Sequence, residues 1–179
     1  MPLTSPRDLF IHELGDTLSA EQIILGMLPQ LQQEARNPDA KKAFKEHEQE
    51  TRQQIMNIQT VFRKLGEQPE PTTCYAAEGL KKEHEALHQE QPTPDVLEAG
   101  ILGGAAKTEH YEIATYTTLV QMAGDLGETE VAKLLRENLT QEKEMAKRVT
   151  TISKEVGKAT KAKAQGRTQG TGRAARSSA

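Results

Sequence analysis

Near the C-terminus, seam positions recur at alternating steps of four and three: Val131, Leu135, Asn138, Glu142, Met145, Val149, Ile152 and Val156. That spacing marks the face a helix turns toward the interior of a bundle. A second such line runs through Leu102, Ala105, Glu109, Glu112, Tyr116, Leu119 and Ala123, and a third through Leu14, Leu18, Glu21, Leu25 and Leu28. A fourth stretch is less regular: Glu50 projects along nearly the same line as Ala43 and Val61, with Ile58 beside it.

Turn chemistry sets the limits of these stretches. Ser5 and Pro6 start a helix that runs to about Glu34, with Pro29 expected to kink it near its end. Asn37-Pro38-Asp39 is a turn into a second helix, from about Pro38 to Leu65, stopped by Gly66. After the prolines at 69 and 71 comes a shorter helix, roughly Tyr75–Gln89. Thr93 caps a third long helix from Pro94 to about Gly124, and a tight link leads to the last, about Glu128 to Val156. Short links join the long helices in pairs, while the middle connection is long enough to cross from one end to the other. The prediction is an all-α fold: a four-helix bundle with one long crossover carrying an extra short helix.

Composition sharpens this picture. With 35% hydrophobic residues, 3% aromatics and no Trp, a core of aliphatic side chains suits packed helices better than a sheet sandwich. The formal charge of −3 is unevenly spread. Residues 158–179 hold six bases and no acid, leaving 17 bases against 26 acids in residues 1–157. The division expected is therefore an acidic bundle over 1–157 and a basic, disordered tail over 158–179. Such a body does not suit nucleic acid, although the tail can touch polyanions such as DNA, weakly and with strong salt dependence. One cysteine, Cys74, permits no internal disulfide, and no apolar run reaches the length of a membrane span. A cytoplasmic protein without membrane attachment is expected.

The chemistry lies in the acids that interrupt the seams. Glu21 lies 16 residues before Asn37 and Glu50 lies 13 after it, so both stand about 20–24 Å from that turn. Glu109 and Glu112 lie 17 and 14 residues before Leu126, and Glu142 lies 16 after it. Packing the two hairpins together brings five carboxylates to one height. Burying even one ionised carboxylate costs several kcal/mol after relaxation, and five that are mutually close and uncompensated would not be tolerated. A pair of bridged cations, about 3.5–4 Å apart, removes the repulsion and takes oxygen ligands. Two transition-metal ions are the expected cofactor: iron first, with manganese or zinc also compatible with carboxylates. His47 stands one turn before Glu50 on the same side, either as an imidazole ligand or as a neighbour of the ligands. The Glu-x-x-His pattern of many such sites is missing, because Gln53 and Met145 follow Glu50 and Glu142 by three.

Several motifs carry a family resemblance. Leu9-Phe10-Ile11-His12-Glu13-Leu14, Ser19-Ala20-Glu21-Gln22, His47-x-x-Glu50-Thr51 and Cys74-x-Ala76-x-x-Gly79-Leu80 are four of them. The fifth and most specific is Glu109-His110-Tyr111-Glu112-Ile113-Ala114-x-Tyr116-x-Thr118-Leu119. Over roughly residues 8–157 the chain resembles the YciE/YciF-type ferritin-like proteins of bacteria. The resemblance implies a usually dimeric bundle linked to stress responses. It also implies a di-metal site with Glu21, Glu50, Glu109, Glu112 and Glu142 as ligands. In rubrerythrin-like relatives the third helix likewise offers Glu-x-x-Glu, with another Glu thirty-odd residues on; here Glu109 and Glu142 are 33 apart.

Other features read more plainly. Gly100, Gly103, Gly104, Ala105 and Ala106 permit close helix approach, within the bundle or across a dimer. His84 and His88 have the spacing of a zinc pair, but on so charged a helix a solvated face is the expectation. Two function classes follow. One is a metal protein that acts on O₂ or peroxide and protects against oxidative or general stress. The other is a structural or interaction protein, a helical dimer whose tail meets polyanions.

Overall fold

The computed structural model describes the backbone of residues 3–174, with side chains through Ala162. Five helices follow in order: α1 (Pro6–Glu34), α2 (Pro38–Lys64), α3 (Tyr75–Gln89), α4 (Pro94–Asp125) and α5 (Thr129–Ala174). No strand occurs among the described residues, and no helix there is long and apolar enough to cross a membrane.

Local chemistry accounts for the helix ends. Ser5 caps α1 through a capping box with Asp8, and Pro6 fills the first turn, where an N–H would lack a partner anyway. The helix continues through Pro29, whose ring lies on an exposed face. Asn37 caps α2 by accepting from the amides of Asp39 and Ala40. Thr93 occupies the cap position of α4 but makes no side-chain cap bond. Gly66 and Gly127 end their helices at φ of 76° and 77°, where a side chain would be strained.

The four long helices form a ring. α1 packs on α2, α2 on α5, α5 on α4 and α4 on α1, so the two hairpins lie side by side. The crossover brings the chain from the far end of α2 back to the start of α4, and α3 rests on α1 and α4. Its path follows α1 upward. The amide of Thr72 donates to Gly15 O at 3.1 Å, Cys74 and Ala77 pack with Ala20, and His84 and His88 reach Glu34. At the top, the buried Glu98 accepts from the amides of Arg36 (2.5 Å) and Asn37 (3.1 Å), tying α4 to the α1–α2 turn.

Gly15 is required by this path. A Cβ there would lie 2.5 Å from the carbonyl oxygen of Glu70. Gly15→Ala is expected to destabilise the fold by about 1–3 kcal/mol, the usual cost of overpacking a site whose neighbour is backbone. A lower urea midpoint with an unchanged slope would show it. Gly100 serves likewise on α4, where a Cβ would strike the Leu87 side chain of α3. The small-residue face is thus partly used inside the molecule.

The last helix differs from expectation. It continues past Val156 to Ala174 instead of giving way to a disordered tail at 158. Ala, Lys, Gln and Arg, good helix formers, are frequent there and proline is absent, although Gly157, Gly166, Gly170 and Gly172 each cost about 1 kcal/mol against Ala. Packing nevertheless ends where the apolar seam ends: Val156 is half-buried and every residue from Gly157 to Ala162 is exposed. Residues 175–179 lie outside the described residues.

The apolar core is divided. One cluster gathers Phe10, Leu14, Leu18, Ile58, Val61, Leu119 and Leu135. The other gathers Ile24, Leu28, Phe44, Ile101, Leu102, Met145 and Val149. Between them lies a polar layer.

Candidate metal centre

The seams of α4 and α5 place their acids as the spacing predicts. Glu109, Glu112 and Glu142 are all buried, as is Glu21 from α1. On α1 the seam drifts by one position, so Ile24 is buried where Leu25 was expected; Leu25 is half-buried. α2 departs further. Its buried line is Ala40, Phe44, His47, Thr51, Gln54, Ile58, Val61 and Leu65, in alternating steps of four and three. His47 is therefore the inward residue of α2, and Glu50 flanks it with a side chain 33% exposed.

Single ligand atoms from His47, Glu109, Glu112 and Glu142 lie within 4.8 Å of one another. His47 Nε2 stands 3.5 Å from Glu109 Oε1 and 3.9 Å from Glu142 Oε2. Its Nδ1 stands 3.3 Å from Glu50 Oε2. With the Nδ1 proton directed to Glu50, the Nε2 lone pair faces the acids. That is the carboxylate–histidine pairing that orients metal-binding imidazoles. Glu21 stands on the other side of the layer. Its Oε1 accepts from the Tyr116 hydroxyl, leaving Oε2 free of any hydrogen bond.

A neutral polar shelf underlies the acids, and sequence reasoning missed most of it. Gln54 Nε2 donates to Glu142 Oε1. Asn57 Nδ2 donates to Asn138 Oδ1 at 2.7 Å, and Asn138 Nδ2 donates to Tyr116 OH at 3.0 Å. Asn138 was visible as a polar member of an apolar seam. Gln54 would have been visible had the seam of α2 been drawn through His47. Gln53, in contrast, is exposed and bonded to Asn57, and Met145 belongs to the upper apolar cluster. Neither faces the centre. His110 is exposed and bonds to the carbonyl of Ala106.

The electrostatics are costly. Burial above all, and then the charge of Glu142, hold the carboxyls of Glu21, Glu109 and Glu112 well above the usual range. Burial also pushes Tyr116 up, followed by the charge of Glu21. Glu50 goes the other way, lowered chiefly by its hydrogen bond with His47. Both oxygens of Glu112, one each of Glu21, Glu109 and Glu142, and His47 Nε2 are buried without a hydrogen-bond partner. A folded chain leaves few buried polar atoms unmatched, and each costs about 1–3 kcal/mol, more when charged. So many in one layer, all electron-pair donors, could hold a metal ion.

A cavity of about 320 Å³ opens between α1, α3 and α4 and reaches this layer. Ile24, Leu28, Phe44 and Ile101 make its walls apolar, and His47 and Glu109 stand at its inner end. Cys74 lies apart, at the N-cap of α3. Its Sγ is 3.1 Å from the Tyr111 hydroxyl, which donates to Asp16, and burial pushes the thiol up.

Helices in this ring order, crossed once by a long connection and holding acids at the waist, define a ferritin-like helical bundle. The chain belongs to the family described as a domain of unknown function, DUF892, whose model matches residues 5–163. It is 38% identical over 144 residues to Protein YciF of Escherichia coli (strain K12), across 80% of this chain and 87% of that protein. The crystal structure of the E. coli stress protein YciF superposes with a TM-score of 0.83 at 34% identity, covering 87% of this chain and 99% of that one. YcfI from Rhodopseudomonas palustris gives a TM-score of 0.81 at 37% identity, covering 83% and 94%.

Proposed function

We propose that the waist of the bundle holds two transition-metal ions, iron or manganese before zinc, and that the protein uses them on small oxidants during stress. The observation that carries this reading is Glu112. Both its oxygens are buried and unpartnered beside Glu109, Glu142 and His47, a cost that a bound cation would offset. Glu109, Glu112, Glu142 and His47 would form the inner ligand set, with Glu21 and Glu50 at its margins. A redox-active pair bound there supplies electrons to O₂ or peroxide.

The chain's own residues do the rest. Glu50 orients the His47 ring, Tyr116 holds one oxygen of Glu21, and Gln54 holds one oxygen of Glu142. These bonds leave the opposite atoms free to bind. The apolar clusters above and below keep bulk water from the layer. The cavity between α1, α3 and α4 admits a small molecule as far as His47 and Glu109. The stress role extends to this chain what the E. coli relative is called.

Metal analysis of chain purified without chelators tests the proposal. We expect about two transition-metal ions per chain, lost in Glu21→Ala and Glu112→Ala, and peroxide consumption by the loaded form alone. A chain that remains folded and takes up no metal when offered iron or manganese would overturn it.

A further inference from the structure

A second cluster lies where the crossover helix meets the end of α1. His84 and His88 are one turn apart on α3 and turn their Nε2 atoms toward Glu34. His84 Nε2 is 3.0 Å from Glu34 Oε2, and His88 Nε2 is 3.0 Å from Glu34 Oε1. The rings meet edge to face with centroids 5.0 Å apart. The side chains of His84 and Glu34 are 11% and 16% exposed, that of His88 36%.

We propose that Glu34, His84 and His88 form a mononuclear site for a divalent cation of the zinc type, which clips α3 to the C-terminal end of α1. Ligand atoms from the three residues lie within 4.8 Å of one another. Bonds of about 2.0–2.1 Å at tetrahedral angles put neighbouring donor atoms roughly 3.3 Å apart, close to the separations seen here. Hydrogen bonding does not account for the cluster. Both Nε2 atoms and Glu34 Oε2 are shielded from solvent, yet none makes an aligned hydrogen bond. Two neutral imidazoles and one carboxylate, with lone pairs converging, are the donor set of zinc sites that keep an open position.

The surroundings fit the role. Gln30 Nε2 donates to Glu34 Oε1 at 2.6 Å and holds the carboxylate in place, as outer partners of metal ligands do. Helix α3 buries only Ala77 completely, near its start, and its second half is held to α4 by the half-buried Leu87 against Gly100. A cation joining His84 and His88 to Glu34 would add an attachment to α1. It also sits beside the cavity, since His84 lines that wall. Imidazole donors favour zinc-type ions, whereas the waist is rich in oxygen, so the two sites differ in selectivity.

Zinc titration of the full chain by calorimetry tests this, with the variants His84→Ala/His88→Ala and Glu142→Gln run in parallel. Wild-type chain should bind one zinc ion per chain more than the double variant. Glu142→Gln should retain that ion whatever happens at the waist. In the wild type, zinc should shift the imidazole resonances of His84 and His88 and slow protease cleavage within α3 at least tenfold. Equal zinc stoichiometry and affinity in the wild type and a folded double variant would overturn the site. Unmoved His84 and His88 resonances in the wild type would do so without any variant.

Discussion

Glu142→Gln is expected to make the metal-free chain more stable while stripping the waist of its metal. Glu142 supplies the largest charge effect on each of Glu21, Glu109 and Glu112. Glutamine keeps the shape and the oxygen that accepts from Gln54. Removing a buried charge that lacks compensation stabilises a metal-free fold, and each kcal/mol gained is worth ~2–4 °C in a chain of this size. With metal present the order should reverse, because the wild type gains binding free energy that the variant lacks. Thermal unfolding of both proteins, each with chelator and with added manganese, gives the four midpoints. A variant less stable than wild type under chelator would show that the waist is held together by something other than cations.

The second large effect is an inverted pH profile. Most carboxylates in folded proteins are stabilised as anions, so acid weakens the fold. Glu21, Glu109 and Glu112 are raised instead, by burial first and the charge of Glu142 second. Above the unfolded carboxylate value of about 4.3, the metal-free folded state therefore holds more protons than the unfolded one. Stability then falls as pH rises from there through the raised folded values. All three shifts act in the same direction, so their slopes add. Glu50, lowered by His47 and half-exposed, opposes this only weakly. Loaded protein should show the reverse slope, since protons compete with metal for the same oxygens. Midpoints measured from pH 5 to 8 should diverge: chelated protein losing stability toward pH 8, loaded protein losing it toward pH 5. Parallel curves would refute the assignment.

These expectations rest on residues that were legible to different degrees. On α4 and α5 the acids stand in otherwise unbroken apolar seams, so Glu109, Glu112 and Glu142 could be placed from spacing alone. Tyr116 could be placed as well, since a large ring one turn from Glu112 has to turn inward. On α2 the apolar residues are few, and the phase of the helix was ambiguous by about one position. Glu50 was therefore placed on the inner line, where the folded chain puts His47. The polar shelf of Gln54, Asn57 and Asn138 stayed hidden for a related reason. Amides are ordinary on helix surfaces, and only a partner on another helix shows that they are buried by design.

The sequence by itself determined four long helices, their two hairpins, the long crossover and the common height of the buried acids. Each of these follows from local propensity and from distance along a helix, which a linear chain encodes directly. Only the tertiary structure decided that His47 faces the acids with Glu50 behind it, since that depends on how α2 is rotated against α5. It also decided that α3 travels up the side of α1, bringing His84 and His88 to Glu34, some fifty residues away in the chain. Contacts of that kind arise when packed faces choose one another, and no period along a single helix records the choice.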